Sequence, residues 1–172
     1  MTAANFPRAL AFVLKDEGTN DDDPADHGGR TSRGITQREF TAWLSEQGLP
    51  DKDVWTATDG EIKEIYHDEY WSPYCDLFPS GCDYLFFDMA VNSGPHEATL
   101  ILQRSLGVAA DGRIGPITRE AAANCADEKG LIQKYTDQKR AFYYACHQPR
   151  FIKGWLNRCN DVQANATTLI GT

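Results

Sequence analysis

Residues Glu17 to Thr36, EGTNDDDPADHGGRTSRGIT, decide how the rest of the chain is read. Upstream, Phe6, Leu10, Val13, Leu14 and Glu17 recur at helical spacing, so Glu17 closes an apolar stripe and faces what that stripe faces. Against an apolar wall the charged form of a carboxylate is disfavoured, the condition that a general acid working near neutral pH requires. The plainer reading of Glu17 is an ordinary glutamate near a helix C-terminus, where the dipole does not favour it. Downstream come a carboxylate-rich loop, the pair Gly28-Gly29 and a polar run ending in Gly34-Ile35-Thr36. Arg30 to Ile35 reads as strand, a small hairpin after the glycine pair. A positioned acid, a turn with a second carboxylate and a backbone wall make a plausible glycosidase layout.

The remainder reads as helix. Thr36-Gln37-Arg38-Glu39 and Thr58-Asp59-Gly60-Glu61 are capping boxes, each opening an apolar-periodic segment. Pro73 ends the second of these. A helix is expected over Asp83 to Asn92, broken at Gly94-Pro95, and another from Pro95 to Leu106 with Gly107 as its stop. Asp111-Gly112 reads as a turn, and Gly115-Pro116 puts proline at the first position of the next helix. Leu131, Tyr135, Gln138 and Phe142 mark a longer helix, and Phe151 to Ile170 holds the last. The chain thus reads as mainly α with one small β hairpin.

Composition narrows the function. A chain of 172 residues with 41% hydrophobic residues and four tryptophans can bury a substantial core. No run of about 18 apolar residues exists, so no stable membrane insertion is expected, and the N-terminus lacks the order of a signal peptide. The net charge of −8 is uneven: residues 129–158 hold seven basic residues and only Asp137 as an acid, a local +6 against −14 elsewhere. That segment is either a solvated helix face or a surface for an anionic polymer such as cell wall. A chain this acidic is not expected to bind nucleic acid.

Cys75, Cys82, Cys125, Cys146 and Cys159 contain no CxxC pair, which disfavours zinc, and the odd count leaves a thiol free in any monomer. Buried free thiols are expected, with a Cys75–Cys82 bridge as the alternative in an oxidising space. His27, His67, His96 and His147 have no HExxH or HxH spacing, which argues against a metallopeptidase. Asp21-Asp22-Asp23 lacks the alternation of a calcium loop because Pro24 and Ala25 interrupt it. No metal and no cofactor are expected.

Several separated motifs, in order, resemble glycoside hydrolase family 108, the N-acetylmuramidases common among phage endolysins. They are Glu17-Gly18, Asp23-Pro24-Ala25-Asp26, Gly28-Gly29, Thr31 and Gly34-Ile35-Thr36. Residues 87–95 (FDMAVNSGP), 102–108 (LQRSLGV), 111–118 (DGRIGPIT) and 151–158 (FIKGWLNR) resemble the family's second half, a predicted peptidoglycan-binding region. Thr19 departs from the Glu-Gly-Gly frequent in the family.

The resemblance implies a mainly α, two-lobed lysozyme-like α+β domain with one small β hairpin, residues 1–82 forming the catalytic half and 83–172 a helical second half, packed as one globular unit. It also implies hydrolysis of the β-1,4 bond between N-acetylmuramic acid and N-acetylglucosamine, with Glu17 as general acid. Asp26 is the leading second carboxylate, although it also reads as a turn residue capping the backbone beside Gly28. The spacing Glu17, Asp26, Ser32 is similar to that of one group of phage lysozymes, whereas the family pattern favours Thr31 as the hydroxyl residue, and both stay open. Asn92 is a candidate for an N-acetyl group and equally an ordinary helix cap. Tyr70 and Trp71 are candidates for an aromatic sugar platform, with core packing expected for one of them, and Thr36 is a further substrate-binding candidate. The expected partner is the peptidoglycan glycan strand, met by a monomer. It would be held in the host cytoplasm until a holin-type pore releases it, or secreted as an effector. A lytic transglycosylase and a non-catalytic wall-binding module are the alternatives.

Overall fold

A computed structural model describes residues 5–17, 20–21 and 30–171. The chain forms two compact units, Leu10–Glu69 and Met1–Ala9 with Tyr70–Thr172. The first helix, α1 (Phe6–Glu17), contributes its first turn to the larger unit and the rest to the smaller one.

In the smaller unit, β1 (Asn20–Asp21), β2 (Thr31–Ser32) and β3 (Ile35–Thr36) make an antiparallel sheet in the order β1-β2-β3. The expected hairpin is β2–β3, with Thr31 opposite Thr36 and Ser32 opposite Ile35. Arg33 and Gly34 form its two-residue turn at φ +51° and +83°. Positive φ at both centres is what a type I′ turn needs to match strand twist. The hairpin also carries a third strand, because Asn20 and Asp21 pair with Ser32 and Thr31.

Helix α2 (Gln37–Glu46) starts at the capping box read from the sequence. The Thr36 hydroxyl accepts from Glu39 N at 3.2 Å, and Thr36 N donates back to Glu39 Oε2 at 2.9 Å. Thr58 and Glu61 repeat this at α3 (Asp59–Tyr66). A π turn, His67–Trp71, continues α3, and a 3₁₀ turn at Val54–Thr56 precedes it. Ile35, Phe40, Leu44, Val54, Ile62 and Tyr66 are buried.

The larger unit holds α4 (Cys82–Ser93), α5 (Pro95–Leu106), α6 (Pro116–Ala123), α7 (Glu128–Ala145) and α8 (Pro149–Thr168). Helix α4 is its axis: residues 82–90 are all buried, and α5, α7 and α8 pack around it. A helix apolar on every side belongs at the centre of a bundle. Phe6, Trp71 and Phe87 form an aromatic cluster with centroids 5.3–6.0 Å apart. Helix α5 stops at Gly107, in the left-handed conformation at φ +73°.

Gln103 is buried and organises the DGRIGPIT segment. Its amide nitrogen donates to Asp111 Oδ1 at 2.7 Å, Arg113 O at 2.9 Å and Thr118 Oγ1 at 3.1 Å, while its oxygen accepts from Gly112 N at 2.9 Å. The Asp111-Gly112 turn and the first turn of α6 are therefore tied to α5 in one hydrogen-bonded unit.

The basic segment 129–158 is not a single solvated face. Lys139 is buried against Asp88, whose other oxygen accepts from Arg158 Nη2 at 2.9 Å. Arg140 pairs with Asp137 at 2.9 Å, and Lys129, Lys134, Arg150 and Lys153 are the exposed remainder. All five thiols are free, with Cys75, Cys82 and Cys159 buried. Burial pushes the Cys75 and Cys82 thiols well up, which disfavours the reactive thiolate. Among the described residues no helix is long and apolar enough to cross a membrane.

Candidate active site

Glu17 is the last residue of α1 and is half-buried. Its seat is shaped by the hairpin turn. A Cβ at Gly34 would fall 3.0 Å from Glu17 Oε2, 3.3 Å from Glu17 Cγ and 2.6 Å from Tyr66 Oη. The Glu17 carboxylate and the Tyr66 hydroxyl thus lie over the bare α-carbon of Gly34. Glycine is needed there twice, for the positive φ and for the space.

The turn beneath Glu17 is fixed from several sides. Tyr66, fully buried, donates its hydroxyl to Arg33 O at 2.8 Å. Arg33 Nη2 donates to Ala57 O at 2.6 Å, and its other nitrogen pairs with Asp59. Those contacts hold a non-glycine residue at φ +51°, a conformation that such residues adopt rarely. Gln37 joins the hairpin to the 3₁₀ turn: its N donates to Arg30 O at 2.9 Å, and its Oε1 accepts from Val54 N at 2.7 Å.

The other candidates are distributed as follows. Thr31 lies on β2, its carbonyl accepting from Trp55 Nε1 at 3.0 Å. Ser32, next on the strand, is buried and lines a cavity of about 390 Å³ with Asn20, Arg33 and Trp55. Asp26, with Gly18, Asp22, Asp23, Gly28 and Gly29, lies outside the described residues. The Thr36 hydroxyl is engaged by its cap, donating to Glu39 Oε2 at 2.7 Å as well as accepting. Asn92 is exposed in the last turn of α4 and donates to Asp88 O at 2.7 Å. Tyr70 is half-buried in the π turn, whereas Trp71 is fully buried and donates to Asp76 Oδ1 at 3.0 Å. Trp71 is the member of that aromatic pair that packs in the core.

Two residues of this unit escaped the sequence reading. Tyr66 reads as one more apolar position of α3, because the partner of its hydroxyl is 33 residues away. Trp55 follows Asp53 with no motif to mark it, although the Asp53 side chain caps its backbone N–H at 2.9 Å.

The family description Glycosyl hydrolase 108 matches residues 10–94, and Predicted Peptidoglycan domain matches residues 97–160. The solved structure of SagA from Brucella abortus is similar over 99% of this chain and 98% of its own, at 31% identity and a TM-score of 0.81. No curated protein sequence matches. The Gly34-seated glutamate lies inside the first matched segment, the Gln103 unit and most of the helical bundle lie inside the second, and a likeness in sequence and fold spans the whole chain. The chain therefore belongs to glycoside hydrolase family 108, the N-acetylmuramidases, and is a glycoside hydrolase whose substrate is peptidoglycan.

Proposed function

We propose that the enzyme cuts the β-1,4 bond between N-acetylmuramic acid and N-acetylglucosamine, with Glu17 as the general acid. The observation that carries this is the seat of Glu17: a half-buried carboxylate at a helix end, pressed onto Gly34 beside the Tyr66 hydroxyl, inside the segment that matches the hydrolase family. A general acid needs a fixed side chain whose proton reaches the bridging oxygen. Glu17 protonates that oxygen as the bond breaks, and the sugar passes through an oxocarbenium-like state.

The second role falls to Asp26, with Thr31 or Ser32 supplying a hydroxyl to the water or the sugar. If Asp26 activates water on the far face the configuration inverts; if it attacks carbon the configuration is retained. The two carboxyl groups would be about 6.5–9.5 Å apart in the first case and about 5–5.5 Å in the second. Thr36, Tyr70 and Asn92 are the proposed sugar-binding positions. In this reading residues 1–82 carry the chemistry and residues 83–172 hold the wall. The protein acts as a monomeric phage endolysin without a cofactor, reaching the wall through a holin-type pore, and does not engage nucleic acid.

Mass spectrometry of the products from purified peptidoglycan, wild type against Glu17→Gln, tests the core of this. The expected products carry reducing muramic ends, and Glu17→Gln lowers their yield by about 10²–10⁴-fold while the protein stays folded. Anhydro-muramic ends would make the enzyme a lytic transglycosylase. Unchanged turnover in folded Glu17→Gln would remove Glu17 from the mechanism.

A further inference from the structure

The cavity beside the hairpin has a wall that the proposed chemistry does not use. Trp55 is 40% exposed, although it is large and aromatic. Its only polar atom is already satisfied, the indole N–H donating to Thr31 O at 3.0 Å. What it shows to solvent is therefore apolar ring.

That ring is also fixed in place. Asp53 accepts from the Trp55 backbone N–H and pairs with Arg30, and the Arg30 guanidinium lies over the ring, 4.5 Å from its centroid. Arg30 covers one side, and Trp55 lines the 390 Å³ cavity with Asn20, Ser32 and Arg33. This volume is in the roughly 300–1,000 Å³ range of small-molecule sites. A rigid aromatic wall with a few polar groups beside it matches a sugar, whose axial C–H face is apolar and whose rim is hydroxyls. Trp55 is anchored to Thr31, and Glu17 sits on Gly34, three residues further along the same hairpin. Three residues of chain span at most about 11 Å, the reach of a short oligosaccharide.

We infer that Trp55, with Asn20 and Ser32, forms a subsite for an N-acetylhexosamine unit of the glycan, to one side of the bond that Glu17 acts on. The ring stacks on the sugar face; the Asn20 amide and the Ser32 hydroxyl meet its polar substituents. This rests on the muramidase reading for its substrate class, but it concerns binding and is separable from cleavage.

The test uses the full chain and a soluble tetrasaccharide alternating N-acetylglucosamine and N-acetylmuramic acid. Binding is measured by titration calorimetry in the Glu17→Gln background, and turnover of purified peptidoglycan in the Glu17 enzyme. Trp55→Ala should weaken binding about tenfold and raise KM to match, with kcat nearly unchanged. Trp55→Phe loses the bond to Thr31 but keeps a ring, and should stay within about threefold of the parent; thermal melts confirm that each variant is folded. Unchanged affinity and KM in folded Trp55→Ala overturn the subsite and leave the muramidase reading standing. Trp55→Phe as weak as Trp55→Ala also overturns it, making the indole a pin for Thr31 only. Trp55-dependent binding without any cleavage by the wild type supports the subsite and sinks the muramidase reading. No binding by folded Glu17→Gln overturns the subsite, whatever the turnover.

Discussion

Arg33 and Lys139 are each held by one aspartate, yet the two pairs sit in different physical regimes. Arg33 is 22% exposed and its partner Asp59 wholly exposed, whereas Lys139 and Asp88 are 1% and 0% exposed. The first pair steadies a surface turn under the proposed acid. The second, joined by Arg158, compensates a buried carboxylate and a buried amine inside a helical bundle. An exposed pair is worth about 0–1 kcal/mol, because water screens it and two side chains must be ordered. Breaking a buried pair from one side costs about 3–5 kcal/mol, because the charge left behind has no solvent. In the smaller unit the Arg33 pair shapes a surface turn, whereas in the larger unit the Asp88 cluster makes burial of charge possible.

The most severe test of this contrast is Asp88→Ala against Asp59→Ala in urea denaturation. Asp88→Ala strands Lys139 and Arg158 and should lose about 3–5 kcal/mol, while Asp59→Ala should lose no more than about 1 kcal/mol. Similar losses would dissolve the distinction. Alkali probes the same cluster. Burial pulls the Lys139 amine down, but the Asp88 carboxylate and the neighbouring Tyr143 together push it up, and the net direction is up. The stability this contributes is complete below the ordinary lysine value. It is lost as pH rises through the higher folded value, so wild type should weaken above the ordinary lysine range and an Asp88→Asn/Lys139→Met double variant should not show that step.

Next in size is Asp83, the other carboxylate buried in α4. Burial raises it to about 6, even though Asn5 Nδ2, Tyr84 N and Gly81 N donate to it at 2.7–2.9 Å. A carboxyl group raised in the folded state contributes stability that is complete below its unfolded value, near 4, and is lost as pH rises through about 6. Between those limits wild type should lose up to about 3 kcal/mol relative to Asp83→Asn. Urea midpoints at pH 4 and pH 7 for both proteins measure it; parallel changes in the two would show that Asp83 titrates at an ordinary value.

The contrast also explains what could be read from residues alone. Helix starts and stops were legible because their causes are local: Thr36 with Glu39, Thr58 with Glu61, Pro116 at a first helical position, Gly107 at a last. A small hairpin was legible from the strand-like run after the glycine pair, but its turn was not, since Arg33-Gly34 falls inside the run that reads as strand. Strand β1 was not, since two polar residues become strand only by pairing with Thr31 and Ser32. Asp88 and Lys139 were missed for a like reason. Each looks solvated in its own segment, and the bond that buries them joins residues 51 apart. Glu17 could be singled out from its stripe, but not the Gly34 surface and Tyr66 hydroxyl that seat it, which come from later in the chain.

A smaller effect on stability than those in α4 should be the most informative about the site. Gly34→Ala forces a side chain into a positive-φ position, at about 1–2 kcal/mol, and drives its Cβ toward Tyr66 Oη and Glu17 Oε2. The buried tyrosine has little room, so the Glu17 carboxylate must give way by some tenths of an ångström. Misplacing a reacting group by about 1 Å costs on the order of 10²-fold in rate, so a kcat loss of about tenfold or more is expected from this smaller shift. Tyr66→Phe removes the nearer obstacle and one hydrogen bond to Arg33 O, about 1 kcal/mol by itself. In the Gly34→Ala background the same change should cost less than that, or recover activity, because it opens space for the new methyl. A double-mutant cycle read in both urea stability and kcat distinguishes the causes. Coupling in kcat ties the hairpin turn to the placement of Glu17. Coupling in stability alone, with kcat unmoved in Gly34→Ala, would make the turn scaffolding and leave the acid positioned by α1.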